Sequence, residues 1–314
     1  MIDSEEYAVI RGNRQNIRMV GESESNPVIL FLHGGPGVCD RHIILKYHAS
    51  LARDFTLVCW DQRGSGKSYD KRIKKEPLSV EDYVLDAECV TDLLRERFGK
   101  EKIIVAGHSW GTVVGTLLTQ RCPEKIAAYI GQGQFVDGPE NERLSYEFCV
   151  AEAEKRGEKK ALEILKKYPP DNGVYPCRKG MMTQRDCLTR YGGGDWKERA
   201  GIIKSLVLPV LRSKEYGLRW LGSYAAGASY LSGALWSQVV RNRFGETVKR
   251  MEMPVLFTQG RHDYNTPSAL AEAWFDALEA PRKEFVWFED SAHSPDKEEP
   301  EKWEETVRSF CLSL

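Results

Sequence analysis

A serine stands between two glycines in Gly107-His108-Ser109-Trp110-Gly111, directly after the short apolar run at residues 103–106 and before a helical stretch at 112–120. This order of strand, turn and helix predicts a sharp turn, because small residues at 107 and 111 allow strand and helix to pack closely. The turn would expose the Ser109 hydroxyl and point the Trp110 amide to the same side. We therefore predict that Ser109 is a nucleophile.

A glycine-rich loop, His33-Gly34-Gly35-Pro36-Gly37, follows the apolar run at 28–32. Glycines in such a loop free backbone amides to point at an oxygen that gains negative charge during a reaction. We predict that the amides of Gly35 and Trp110 form this oxyanion hole. For His33 we expect a bracing role within the loop.

A serine nucleophile needs a base, and the base needs an acid that orients it. Asp263 comes immediately after the apolar run at 255–258, and His293 comes immediately after the run at 285–288. Loops at the carboxyl ends of parallel strands converge at one edge of a sheet, so the two side chains are expected to meet there. The sequence thus predicts Asp263 as the acid and His293 as the base.

Two residues compete for these roles, and one motif is misleading. Asp137, just past a strand at 126–131, is the rival acid, and His262 is the rival base. Gly66-Lys67-Ser68 resembles the end of a phosphate-binding loop, but that motif requires glycine where this chain has Asp61. ATP binding is therefore not predicted.

Short apolar runs followed by turns alternate with helical patterns, which predicts an α/β fold with a mostly parallel sheet. A hairpin around Gly12-Asn13 precedes them, and Ser79 with Asp82 marks the start of a helix that runs to Gly99. Later helices are expected to begin at Pro267 and Pro300. The predicted strands are at 28–32, 56–60, 103–106, 126–131, 255–258 and 285–288.

The pattern breaks between residues 134 and 250, where a charge-rich helix is predicted at 151–167 and loops and an aromatic segment follow. We interpret this segment as a mainly helical cap domain inserted into a core domain made of residues 1–133 and 251–314. The charged run within it is expected to be the solvated face of a helix.

Composition excludes several classes of function. The 314 residues carry 45 Lys and Arg against 46 Asp and Glu, a net charge of −1, so neither nucleic acid nor an anionic membrane is an expected partner. The acidic start predicts no signal peptide, and no run of apolar residues predicts a membrane span. The eight scattered cysteines indicate reduced thiols in the cytoplasm, and no metal or cofactor is expected.

Together with Asp61-Gln62-Arg63-Gly64-Ser65-Gly66-Lys67-Ser68, these motifs resemble the proline iminopeptidase-like branch of the α/β-hydrolase superfamily. The resemblance covers roughly residues 1–133 and 251–314. It implies an α/β-hydrolase fold and a triad of Ser109, Asp263 and His293. It also implies release of N-terminal residues through an acyl-enzyme on the serine, with cap glutamates holding the free amine of the substrate.

The cap departs from that pattern. The Trp-x-x-Trp-Glu stretch of one proline iminopeptidase group is missing, and residues 225–229 occupy the comparable segment. Another group places Glu directly after the triad aspartate, where this chain has Tyr264. Glu215, Glu246 and Asp195 remain as possible amine ligands. Aromatic residues that could line a pocket, or pack the cap helices, are Trp196, Tyr216, Trp220, Tyr224, Tyr230 and Trp236.

Three functions remain open. The first is a proline iminopeptidase-like aminopeptidase acting on short peptides. The second is a cap-gated esterase, lactonase or amidase of small molecules, because triad and oxyanion hole serve both. The third is a non-catalytic ligand-binding member of the fold. The sequence leaves the substrate and the oligomeric state undecided.

Overall fold

Eight strands form one sheet in the part of the chain that the structure describes. The computed structural model describes residues 1–75 and 77–314, except for the side chains at 202, 203 and 206. The strand order is β1-β2-β4-β3-β5-β6-β7-β8. The strands are β1 Ile2–Ile10, β2 Asn13–Gly21, β3 Val28–Leu32, β4 Thr56–Asp61, β5 Ile103–His108, β6 Ile126–Gln132, β7 Val255–Gly260 and β8 Lys283–Phe288.

The sheet is antiparallel at one edge and parallel elsewhere. β1 pairs with β2 and β2 with β4 in antiparallel register, whereas every later pair is parallel. The predicted mostly parallel sheet is therefore confirmed. The hairpin turn lies at Arg11 and Gly12, both with positive φ, one residue earlier than the predicted Gly12-Asn13.

Helices cover the sheet and fill the segment between β6 and β7. They are α1 Arg41–Tyr47, α2 Val80–Phe98, α3 Trp110–Arg121, α4 Gly138–Arg156, α5 Lys159–Lys167, α6 Arg178–Arg190, α7 Ile202–Arg212, α8 Gly217–Val239, α9 Phe244–Thr247, α10 Ser268–Ala277, α11 Pro295–Glu298 and α12 Pro300–Leu312. None of the helices described is both long and apolar enough to cross a bilayer.

Helix α2 shows how local sequence sets an element's limits. Ser79 accepts a hydrogen bond from the Asp82 amide, and the Asp82 carboxylate accepts one from the Ser79 amide, so the predicted capping box is present. The helix ends at Gly99, whose φ of 59° is a left-handed conformation that glycine adopts without strain.

The predicted single helix at 151–167 is wrong. Helix α4 ends at Arg156, Gly157 adopts φ 68°, and α5 begins at Lys159. The left-handed glycine caps the first helix and turns the chain, so two charged helices replace one.

Alternating strand residues divide the core into two layers. Leu30, Leu32 and Val58 face a layer that includes α2 and α3, whereas Ile29 and Phe31 face a layer that includes α12. Both faces of the central strands are therefore buried, which explains their unbroken apolar runs.

Helix α8 contacts the loops after β3 and β4. The Tyr216 hydroxyl, just before α8, donates to Asp61 Oδ1 at 2.6 Å, and the Tyr224 hydroxyl donates to the Cys39 carbonyl at 2.8 Å. A Cβ atom at Gly227 would lie 2.4 Å from the carbonyl oxygen of Gly64. The helix approaches this loop so closely because Gly227 has no side chain.

Candidate active site

Ser109 occupies the turn between β5 and α3 in a strained conformation, with φ 54° and ψ −116°. A Cβ atom at Gly111 would lie 1.8 Å from the Leu32 carbonyl oxygen, and one at Gly107 would lie 2.6 Å from the Gly111 carbonyl oxygen. Both glycines are therefore required for strand and helix to meet at this angle. The observed backbone matches the turn that the pentapeptide predicts.

Asp263 and His293 meet at the carboxyl ends of β7 and β8. His293 Nδ1 lies 2.9 Å from Asp263 Oδ2, and both residues are buried. A carboxylate in this position holds the ring with Nδ1 protonated and leaves Nε2 free to accept a proton.

Three further donors fix the Asp263 carboxylate. Oδ1 accepts hydrogen bonds from the amides of Asn265 at 2.8 Å and Thr266 at 2.9 Å. The Thr266 hydroxyl donates to Oδ2 at 2.9 Å and lies 3.2 Å from His293 Nδ1. Thr266 was not among the predicted site residues, although a threonine three residues after an aspartate and before a helix is a local capping pattern.

Ser109 and His293 both lie close to the chain where β6 ends. The Ser109 amide donates to the Gln132 carbonyl at 3.0 Å, and a Cβ atom at Gly133 would lie 2.9 Å from His293 Nδ1 and Cε1. The Ser109 hydroxyl makes no hydrogen bond to the residues described. Such bonds are commonly long in unliganded sites and tighten when substrate binds.

The glycine-rich loop is tied to Trp110 through Gln62. His33 Nδ1 donates to the Gly34 carbonyl at 2.9 Å, and His33 Nε2 accepts from the Gln62 amide at 3.1 Å. The Gln62 side chain in turn accepts from Trp110 Nε1 at 2.8 Å. Burial lowers the pKa of His33, which suits a neutral ring that braces the loop beside Gly35.

A cavity of about 70 Å³ opens beside Ser109. The two predicted oxyanion-hole residues, Gly35 and Trp110, line it together with the serine. Polar groups enter it from α4 and α6, and apolar groups from α8. The lining residues are Gly35, Ser109, Trp110, Phe135, Asn141, Arg185, Trp236, Val239, Asn265 and Thr266.

Arg185 on α6 pairs with Glu142 on α4. The Arg185 Nη2 atom lies 2.6 Å from Glu142 Oε1, and the Glu142 side chain is fully buried. The guanidinium carbon lies 5.2 Å from the centroid of the Trp236 ring. Burial opposes the charge of Arg185, but Glu142 and Tyr175 together offset it, and the pKa of the guanidinium is raised.

The two glutamates predicted as amine ligands lie elsewhere. Glu215 pairs with buried Arg41 at 3.3 Å, and Glu246 pairs with Arg243 at 3.3 Å on the surface. Neither lines the cavity beside Ser109. Asp195 pairs with Lys297 at 3.0 Å and is likewise absent from the lining.

The predicted aromatic residues also lie mostly outside the cavity. Tyr224 packs in a small core with Trp220 and hydrogen-bonds Cys39, while Tyr230 contacts Ile73 through its hydroxyl at 3.4 Å. Tyr264 stacks on Phe148 with ring centroids 4.1 Å apart. From the wider aromatic set named above, Trp236 lines the cavity.

The rival acid and base have other partners. Asp137 caps α4 by accepting the Glu140 amide at 2.9 Å, and His262 stacks on Trp196 with centroids 3.4 Å apart. The His293 ring pairs with Asp263 and not with Asp137.

We did not predict from the sequence that Asn141 and Arg185 line the cavity. Asn141 lies in the first turn of α4 among charged residues and has no motif around it. Arg185 stands four residues after Met181 and three before Leu188, so helical spacing places it on an apolar face. A charged residue on an apolar helix face was the signal in the sequence that could have indicated a functional role for Arg185.

Comparisons with known proteins find a matching family model and similar chains. A family model described as the alpha/beta hydrolase fold matches residues 27–179. The chain is 32% identical to the probable aminopeptidase YbaC of Bacillus subtilis (strain 168), over 94% of this chain and 92% of that protein. It is 25% identical to the proline iminopeptidase of Heyndrickxia coagulans, over 99% of each chain.

A solved structure shows the same fold. The proline iminopeptidase-related protein TTHA1809 from Thermus thermophilus has a TM-score of 0.65 and 20% identity, over 100% of this chain and 99% of that chain.

Proposed function

Because the chain belongs to the α/β-hydrolase family, in its proline iminopeptidase-like branch, we propose that it is a serine hydrolase that releases N-terminal residues from short peptides. The observation that carries the proposal is the Asp263 and His293 pair, joined at 2.9 Å beside the turn that bears Ser109. Gly35 and Trp110 line the same cavity as the serine.

In the proposed reaction, His293 Nε2 takes the proton of the Ser109 hydroxyl as its oxygen attacks the substrate carbonyl. Asp263 stabilises the imidazolium that results, and the amides of Gly35 and Trp110 receive the oxyanion. His293 then gives the proton to the leaving amine as its bond to the tetrahedral carbon breaks, and the acyl group stays on Ser109 as an acyl-enzyme. A water molecule, deprotonated by His293, hydrolyses that ester and restores the serine.

An aminopeptidase also needs an acceptor for the free amine of its substrate. Asn141 lines the cavity, and its Nδ2 atom donates to the Asn265 carbonyl at 2.9 Å, which leaves Oδ1 buried with no donor among the residues described. A substrate N–H group would satisfy that oxygen. The unpaired Asn141 Oδ1 in the cavity supports an aminopeptidase function, as do the names of this chain's relatives.

The second candidate is an esterase, lactonase or amidase of small molecules. It is favoured by the positions of Glu215 and Glu246, the two predicted amine ligands. Both pair with arginines away from the cavity, so neither holds a free amine beside Ser109. The triad and oxyanion hole would serve an ester equally well.

We propose further that residues 134–250, which supply Asn141, Arg185 and Trp236, act as a cap domain over the catalytic serine. We also propose a cytoplasmic location. The eight cysteines support it, because all are free thiols and six are buried.

Fluorophosphonate labelling tests the nucleophile. We expect the native protein to be labelled and Ser109→Ala to lose the label, while Ser237→Ala, at an exposed position of α8, keeps it. A Ser109→Ala protein that labels at the native rate would refute the mechanism.

Turnover of prolyl-, alanyl- and N-acetylprolyl-naphthylamides beside short p-nitrophenyl esters separates the two functions, with Ser109→Ala as the blank. Cleavage that requires the free amine would support the aminopeptidase. Ester hydrolysis with no response to a free amine would favour the second candidate.

A further inference from the structure

Arg185 is the one charged side chain among the described residues that line the cavity beside Ser109. Its side chain is 14% exposed, whereas its partner Glu142 is fully buried and does not line the cavity. The wall next to the serine therefore presents a cation, and the compensating anion lies behind it.

Much of the hydrogen-bonding capacity of Arg185 is unused. Nη2 donates to Glu142 Oε1 at 2.6 Å and Nη1 donates to Gln184 Oε1 at 2.5 Å. Because a guanidinium carries five N–H bonds, three have no acceptor among the residues described. Trp236 lines the same cavity, and its buried Nε1–H also lacks an acceptor there.

The Arg185–Glu142 ion pair uses one carboxylate oxygen. Pairs of arginine with a carboxylate frequently engage both oxygens in parallel. Here Glu142 Oε2 is buried without a partner among the described residues, and one N–H of Arg185 reaches Oε1. Glu142 thus holds the guanidinium from one side and leaves the rest of it available to a ligand.

We propose that Arg185, with the indole N–H of Trp236, binds a carboxylate of the substrate. A carboxylate accepts two parallel bonds from a guanidinium, which matches the free donors. Since the cavity is about 70 Å³ and also contains Ser109, the carboxylate lies only a few bonds from the reacting carbonyl. This inference rests on the proposed hydrolase function and narrows its substrates to acidic ones.

Two sources of the carboxylate are possible, and substrate pairs distinguish them. A carboxylate on the leaving group would favour prolyl-glycine over prolyl-glycinamide. A carboxylate on the acyl group would favour the phenyl monoester of succinic acid over phenyl butyrate. In one of the two pairs we expect kcat/KM to be about 10- to 100-fold higher for the acidic member, the size of a charge-assisted hydrogen bond.

Arg185→Gln should bring that ratio to about 1, and Trp236→Phe should lower it by up to about 10-fold, since the ring stays and one neutral donor is lost. Arg190→Gln is the matched control, because Arg190 lies on the same helix but pairs with Glu158 outside the cavity. Arg185→Gln leaves a buried Glu142 unpaired, so the double variant Glu142→Gln with Arg185→Gln tests the same point without an uncompensated charge.

Calorimetry with Ser109→Ala measures recognition without turnover. Tighter binding of the acidic member of a pair, lost in Ser109→Ala with Arg185→Gln, would support the carboxylate site even if no substrate were turned over. Equal affinity and equal kcat/KM within both pairs would overturn it. Ser109-dependent turnover without any preference for an acidic substrate would overturn this inference and leave the hydrolase proposal intact.

Discussion

His108 Nε2 hydrogen-bonds the backbone carbonyl of His293 at 3.0 Å, and the two imidazole rings lie 4.9 Å apart. The residue before the predicted nucleophile thus supports the loop that carries the predicted base. Asp40 Oδ2 lies 3.7 Å from His108 Nδ1, and the two carboxylates that face the ring are those of Asp40 and Asp296.

Replacing His108 should change stability in a pH-dependent way. Burial opposes its charge, but Asp40 and Asp296 outweigh that effect and raise the pKa of His108. The stability contributed by the charged ring is therefore full below the ordinary histidine pKa and is lost as pH rises through the raised value. We expect His108→Gln to lower the free energy of unfolding more at pH 5.5 than at pH 9, measured by urea titration.

His42→Gln provides the opposite control. Burial lowers the pKa of His42 to about 4, so the neutral ring is favoured and stability is lost as pH falls below the ordinary value. The cost of His42→Gln should therefore be smaller at pH 5.5 than at pH 9. Identical pH trends for the two variants would contradict both assignments.

Asp263→Asn should lower kcat by about 10³- to 10⁴-fold, because an amide in place of the carboxylate favours the wrong tautomer of His293. Steady-state kinetics on the best substrate would measure the loss. Asp137→Asn is the matched control, since asparagine caps a helix as well as aspartate does and Asp137 caps α4. If Asp137→Asn caused the loss and Asp263→Asn did not, the acid would have been assigned to the wrong strand.

Gly111→Ala should destabilise the protein by several kcal/mol, because its Cβ would lie 1.8 Å from the Leu32 carbonyl oxygen and the backbone would have to move. Gly222→Ala, in α8 with nothing within 4 Å of the added Cβ, should be neutral or stabilise by about 0.5–1 kcal/mol. Thermal unfolding of both variants measures the contrast. Similar melting temperatures would show that the turn tolerates a side chain.

Glu298 makes stability fall as pH rises. Its side chain accepts the amides of Trp196 and Ala292 at 2.6 and 2.8 Å, and burial, with the charge of Asp195, raises its pKa to about 7. A carboxyl with a raised pKa contributes stability that is full below its ordinary value and is lost as pH rises through 7.

Glu298→Gln should therefore flatten the decrease in unfolding free energy between about pH 4.5 and 8, a decrease of up to about 3 kcal/mol in the native protein. Denaturant titrations across that range provide the measurement. An unchanged slope in the variant would show that another group titrates.

The fold could be predicted in good part because its signals are local. The run at 28–32 is buried on both faces and forms β3 over the same residues, and Ser79 with Asp82 starts α2 where the capping box predicts. The prediction of a single helix at 151–167 was wrong for a local reason too, since Gly157 takes a left-handed conformation that ends α4. Periodicity alone does not show whether a glycine within a charged run will take this left-handed conformation.

The amino-acid sequence by itself determined the turn around Ser109 and the order of Ser109, Asp263 and His293 along the chain. Each follows a strand of the parallel part of the sheet, and parallel strands bring their carboxyl ends to one edge of the sheet. The lining of the cavity was decided only by tertiary structure. Glu215 and Arg185 are both charged residues of the segment between β6 and β7, yet Glu215 pairs with Arg41 and Arg185 lies beside the serine. Contacts between helices distant in sequence make that difference, and no local pattern encodes them.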